Sequence, residues 1–115
     1  EQVVRRALGF DATRLFGQAD KPIERFAFLI GGFGGNQKHM PQVAMEMGAQ
    51  AIIIGEMSEF IVIACMETGL PVIETLHSVS EIPAIRSQAQ LLADRLPQLR
   101  VEYVPSGAMS YMGCG

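Results

Sequence analysis

Val72-Ile73-Glu74-Thr75-Leu76-His77-Ser78-Val79-Ser80-Glu81 reads as a short strand running into a helix. Its β-branched residues suit a buried sheet position, Gly69 and Pro71 bound it, and Ser78 or Ser80 can cap the helix announced by the apolar spacing beyond. The junction brings His77 to the strand's carboxyl end and Glu81 to the first turn of the helix. Side chains placed there converge on the crevice in which open α/β sheets bind ligands.

The flanking chain repeats the pattern. Ala51-Ile52-Ile53-Ile54-Gly55 reads as a second buried strand, followed by a helix over Glu59 to Glu67 that Gly69 closes. Further upstream, Ile23 to Ile30 is apolar on both alternating faces, the pattern of a central strand covered on both sides. It ends in Gly31-Gly32-Phe33-Gly34-Gly35-Asn36, after which Met40, Val43, Ala44 and Met47 recur at helical spacing until Gly48. Downstream, Ile82, Ile85, Ala89, Leu92 and Leu96 form the core stripe of a helix from about Ser80 to Leu96, with Arg86, Gln90 and Asp94 outside and Pro83 in its first turn. Val101 to Val104 suits a last short strand. Alternating strands and helices at this spacing predict an α/β fold, a three-layer Rossmann-like unit with a mostly parallel four-stranded sheet and right-handed crossovers. Residues 1–22 read as a short helix and linker, 23–105 as the α/β domain, and 106–115 as a tail.

At 115 residues the chain has room for one core. Apolar residues make up 49% and charged residues 18%, and the formal net charge of −3 gives no electrostatic case for nucleic acid or an acidic membrane as partner. Two cysteines, Cys65 and Cys114, make no disulfide framework, and with no secretory signal they point to a reducing cytoplasm. The longest apolar run, Phe60 to Met66, is too short to span a bilayer. It covers nearly the whole circumference of its helix, which predicts burial against the sheet on one side and a partner surface on the other. The chain opens on Glu1 rather than Met, as a piece of a longer protein would.

Two features carry chemistry. The glycine turn after the first central strand, with Glu56 past the second, invites a dinucleotide reading, but Gly32 and Gly34 are followed by Gln37 where the fingerprint needs its third glycine. A close backbone packing point explains the turn more simply. His77 and Glu81 are sharper: imidazole and carboxylate four residues apart across a strand-to-helix junction can face one divalent cation and leave positions open for water. The same pair is also what helix capping and macrodipole pairing produce. Cys65 and methionines such as Met40, Met45, Met47, Met57 and Met66 read as packing.

Three blocks, Phe28-Leu29-Ile30-Gly31-Gly32-Phe33-Gly34-Gly35, Met47-Gly48-Ala49-Gln50-Ala51-Ile52-Ile53-Ile54-Gly55-Glu56, and Leu76-His77 with Glu81, together resemble the carboxyl-terminal half of the Nif-three-like dinuclear-metal-centre proteins, also labelled type-two GTP cyclohydrolase I. The resemblance covers about Phe26 to Pro105. It implies that His77 and Glu81 supply two ligands of a two-metal site holding zinc, iron or manganese. The other ligands, a histidine pair and an aspartate, would come from the amino-terminal half. It also implies a homo-oligomer, commonly a ring of dimers. Where the family runs glycine-aspartate, a basic residue and a histidine, Gly55-Glu56-Met57-Ser58-Glu59-Phe60 keeps only the glycine and a longer acid, the mark of a degenerate or specialised member.

The expectation is therefore a metal-dependent hydrolase acting on a nucleotide or related small molecule, with His77 and Glu81 as metal ligands and Glu56 as the catalytic or ligand-supporting carboxylate. The alternative is a non-catalytic oligomerisation or regulatory domain built on the apolar helix. A nucleotide-binding module centred on Gly31 to Asn36 is a third reading, and it needs no metal.

Overall fold

The computed structural model describes residues 2–9, 13–18 and 22–105, so the tail 106–115 and Cys114 lie outside the described residues. The chain divides into two compact units, the first ending at Glu81 and the second starting at Ile82.

The first unit holds α1 (Gln2–Leu8), β1 (Arg14–Phe16), β2 (Phe26–Phe33), α2 (Met40–Glu46), β3 (Ala51–Met57), α3 (Glu59–Glu67), β4 (Val72–Glu74) and the first turn of α4 (His77–Arg95). The strands form one four-stranded sheet in the order β1-β4-β3-β2. β2, β3 and β4 run parallel, and β1 lies antiparallel on the β4 edge with Arg14 opposite Glu74. The fold is thus α/β with a mostly parallel sheet, as the alternation of strand and helix patterns predicts.

Parallel strands are buried on both faces, which is why the five residues from Ala51 to Gly55 are all buried in β3, the central member of the parallel trio. Ile52 and Ile54 pack with Ala44 of α2, with Ile61, Val62 and Cys65 of α3, and with Leu70 and Val72. Ala27, Leu29 and Phe16 close the margin of that cluster. Burial raises the Cys65 thiol pKa and leaves it a small apolar core residue, as the sequence suggests. α3 turns Ile61, Val62 and Cys65 inward, while Phe60, Ile63 and Met66 stay exposed on its other side.

Four sequence expectations change. The stripe read as the core side of the last helix is not core, since Ile85 and Leu92 are exposed and only Val79 and Ser80 are buried in α4. β2 is an edge strand and not a central one, and Phe26, Phe28 and Ile30 are exposed. Its partner on one side is β3, and no described strand pairs with the other. The fourth strand is Arg14–Phe16, inside the segment read as linker, whereas Val101–Val104 forms no strand. The last helix begins at His77, a turn earlier than Ser80, so Pro83 sits inside it and has no N–H for the Val79 carbonyl.

The second unit contains the remainder of α4 from Ile82 to Arg95 and the chain beyond. A turn closed by the Leu99 amide donating to the Leu96 carbonyl follows the helix. The Arg86 guanidinium lies 5.0 Å from the centre of the Tyr103 ring, a cation–π contact that ties the last described residues to the helix.

Gly55 is the most crowded of the described glycines. A Cβ there would overlap the Gly31 carbonyl oxygen and lie 2.6 Å from Ser80 Oγ. The obstacle on the Gly31 side is backbone and cannot rotate away. Gly55→Ala is therefore expected to lower the unfolding free energy by about 3 kcal/mol, the upper part of the overpacking range. Urea denaturation checks this; an unchanged midpoint would show that β2 and β3 separate easily at this level.

Candidate metal centre

The site is assembled at the carboxyl ends of β2, β3 and β4. Between Leu29 and Gly32 the β2–β3 register slips, so that Gly32 rather than Gly31 comes opposite Glu56. Gly31 takes a positive φ of 81° at this bulge, a conformation in which glycine carries no Cβ penalty. At the end of β4 Leu76 adopts φ 89°, the one non-glycine residue with positive φ among those described, and its amide donates to the Gly55 carbonyl at 2.7 Å. This bend turns the chain directly from the strand into α4. The strained backbone costs on the order of 1–3 kcal/mol, held in place by the surrounding hydrogen bonds.

His77 is the first residue of α4, and it meets two carboxylates. Its Nδ1 is 2.9 Å from Glu56 Oε1, and its Nε2 is 3.2 Å from Glu81 Oε1. A carboxylate oxygen only accepts, so the Nδ1–H donates to Glu56. All three side chains are partly open to solvent. The hydrogen bond to Glu56 is the chief cause of a raised His77 pKa, aided by the negative charges of Glu81 and Glu56 and opposed by desolvation.

The two glycines make this grouping possible. A Cβ on Gly31 would lie 3.1 Å from Glu81 Oε1 and 3.3 Å from His77 Nε2. One on Gly32 would lie 2.6 Å from His77 Nδ1 and 2.8 Å from Glu56 Oε1. The glycine turn is thus the floor under the imidazole. Its remaining glycines leave no dinucleotide loop. Gln37, which stands where a third fingerprint glycine would, accepts the Gly34 N–H on its side chain at 3.3 Å, and its own amide donates to the Gly34 carbonyl at 3.0 Å.

Residues 1–109 match the family model described as Duf34/NIF3 (NGG1p interacting factor 3). The chain belongs to the Duf34/NIF3 family. The match starts at the first residue, so it takes in α1 and β1, which the sequence resemblance left out. No curated protein matches the chain. Among solved structures, a Bacillus cereus protein related to NIF3 superposes with a TM-score of 0.77 at 16% identity, over 96% of this chain and 31% of that one. Staphylococcus aureus protein SA1388 gives 0.70 at 17% identity, over 95% and 32%. Protein ybgI, of unknown function, gives 0.63 at 23% identity, over 81% and 36%. The chain spans about a third of the length of these solved structures, and at these identities the likeness is one of fold.

The three residues singled out in the sequence, Glu56, His77 and Glu81, thus come together in this Duf34/NIF3 chain. His39 lies apart, just ahead of α2. What the sequence did not single out is Arg14 with Glu74. The Glu74 side chain is only 2% exposed, and Arg14 Nη2 is 2.6 Å from its Oε2. The signal was a carboxylate at Glu74 in an otherwise apolar strand, which calls for a cation once the strand is buried.

In the metal-free protein His77 is expected to titrate above 6.5, and Glu56→Gln to bring its pKa down. Because the folded pKa is the raised one, the stability that the protonated imidazole contributes is complete below the unfolded value and is lost as pH rises through the folded value. Gly32→Ala, which pushes His77 and Glu56 apart, should lower the same pKa while changing the denaturation midpoint little. Histidine ring signals followed by NMR against pH measure both effects.

Proposed function

We propose that this chain contributes His77 and Glu81 to a divalent-metal site, zinc, iron or manganese, in a Duf34/NIF3 protein that hydrolyses a nucleotide or related small molecule. The observation that carries the reading is the approach of His77 Nε2 and Glu81 Oε1 to 3.2 Å above a glycine, while the other imidazole nitrogen is held by Glu56 at 2.9 Å. Carboxylate, histidine and open ligand face in that order are the arrangement by which proteins orient a metal-binding imidazole. Imidazole nitrogen and carboxylate oxygen suit all three metals.

Among the described residues no group of three or more His, Cys, Asp or Glu is arranged to hold an ion. The pair supplies part of a coordination sphere, and the reading takes the remaining ligands from the portion of such proteins that this chain does not span. A bound divalent ion would supply Lewis-acid polarisation and activation of water for hydrolysis. The chain's own contribution is to keep the His77 proton on Nδ1, so that Nε2 presents its lone pair. Glu56 makes the hydrogen bond that does this, and with about half its surface open it is also placed to exchange a proton with a substrate.

The exposed apolar side of α3, with Phe60, Ile63 and Met66, favours a homo-oligomer and supports the second reading, a non-catalytic assembly domain. No described helix is long and apolar enough to cross a membrane, and the reading places the protein in the cytoplasm.

Metal content of the longest natural chain is the test. Stoichiometric metal is expected in the parent, with loss in both His77→Ala and Glu81→Ala, and Glu56→Gln should weaken affinity by roughly 10–100-fold. No metal after reconstitution with zinc, manganese and iron would sink the hydrolase and leave the assembly domain. Ile63→Glu is expected to reduce the sedimenting mass without altering the circular dichroism. An unchanged mass would mean that α3 is not the contact.

A further inference from the structure

Beside His77 and Glu56 opens a cavity of about 420 Å³, and Arg14, Ser58 and Glu74 also line it. The volume falls in the range that small-molecule sites occupy. Three features of its wall bear on what it takes.

Arg14 is anchored but not used up. Nη2 contacts the buried Glu74 carboxylate at 2.6 Å and the guanidinium carbon lies 5.7 Å from the centre of the Phe16 ring, yet the side chain remains 66% exposed. A guanidinium has five N–H donors in a planar fork, more than one carboxylate oxygen can occupy. Glu74 Oε1 accepts from the Met57 amide at 3.3 Å, while its buried Oε2 lies 2.6 Å from Arg14 Nη2 as an ion pair and makes no hydrogen bond.

Ser58 is the residue at the amino end of α3, where a serine ordinarily accepts a hydrogen bond from an amide of the first turn. Here its hydroxyl makes no such bond, and Oγ is buried without a hydrogen-bond partner. A buried hydroxyl left unpaired is costly, and an acceptor that reached it would relieve that cost. Two other carboxylates lie near: Glu56, which is paired with His77, and Glu59, which lines an adjoining cavity that Arg14, Met57 and Glu74 also line.

We infer that Arg14, fixed by Glu74, and Ser58 form an oxyanion subsite that holds the phosphoryl or carboxylate group of a small-molecule substrate beside His77 and Glu56. The guanidinium fork and the hydroxyl donate to the anion's oxygens, so Arg14 and Ser58 position the substrate and Glu74 positions Arg14. The inference rests on the hydrolase reading only for the nature of the reacting site. The anion subsite itself needs no metal.

The test uses the longest natural chain after chelation, titrated with orthophosphate and, separately, with acetate, and followed by amide NMR and calorimetry. Binding of at least one anion is expected, with shifts at Arg14, Ser58 and Glu59, and the tighter of the two identifies the group. Arg14→Lys keeps a cation against Glu74 but loses the fork, and should weaken binding about tenfold or more, as loss of a hydrogen bond to a charged group does. Ser58→Ala removes the second donor and should weaken binding severalfold with the fold intact. Metal content of both variants is expected to equal the parent's. If neither anion binds, or if both variants bind as the parent does, the subsite is overturned. A parent that takes up no metal yet binds the anion through Arg14 would instead overturn the hydrolase and leave the subsite standing.

Discussion

One buried hydroxyl ties the site to the sheet. Ser80 Oγ accepts the Gly31 amide at 2.8 Å and donates to the His77 carbonyl at 2.7 Å, so a single atom joins the bulge of β2 to the first residue of α4. Ser80 is 1% exposed, and leaving either backbone group unpaired there would cost about 1–3 kcal/mol. The consequence runs outward. With the bulge pinned, Gly32 comes opposite Glu56, and with the helix start pinned, His77 is held over both glycines. The candidate ligands are partly exposed, yet the two backbone groups that aim them are joined through a buried hydroxyl.

The same constraint explains why strain is tolerated at Leu76. Helix starts usually have a capping residue with extended backbone before them, but here the preceding residue is bent into positive φ. Its amide reaches Gly55, its carbonyl accepts the Ser80 amide at 3.1 Å, and the Thr75 amide reaches Ile54 at 2.8 Å. Three backbone hydrogen bonds therefore over-determine the bend. A relaxed junction would begin the helix later, as the periodicity suggested with its start near Ser80, and would leave His77 outside the helix, away from the i, i+4 spacing that brings Glu81 to its Nε2.

What was legible in the residues follows from what each signal measures. Strands β3 and β4 and helices α2 and α3 were readable because burial on two faces demands continuous β-branched runs, and burial on one face demands helical spacing. His77 with Glu81 was readable for the same reason, since i, i+4 spacing is local. Pairing is not local. Arg14-Leu15-Phe16 is a strand only because β4 offers it an edge, whereas Val101 to Val104, with better β-forming residues, finds no partner among the described residues and forms none. β2 looked central because Phe26, Phe28 and Ile30 are apolar, but composition tells how a face would like to be covered and not what covers it. The join between Gly31 and Ser80, 49 residues apart, left no pattern to find.

Arg14 and Glu74 show the limit most clearly. A glutamate in the middle of Val72-Ile73-Glu74-Thr75 contradicts the burial of its neighbours, and such local contradictions mark places where something other than packing sets the residue. Its partner lies 60 positions away on an antiparallel strand whose register puts Arg14 directly opposite Glu74. For stability alone, a well-packed apolar pair at such a position is commonly as good or better, because the desolvation of a buried charge offsets much of its attraction. An arginine that stays two-thirds exposed while its carboxylate is buried gains little from pairing on stability grounds. The pairing makes physical sense as a way to hold a guanidinium still beside a cavity while its side chain stays open to solvent.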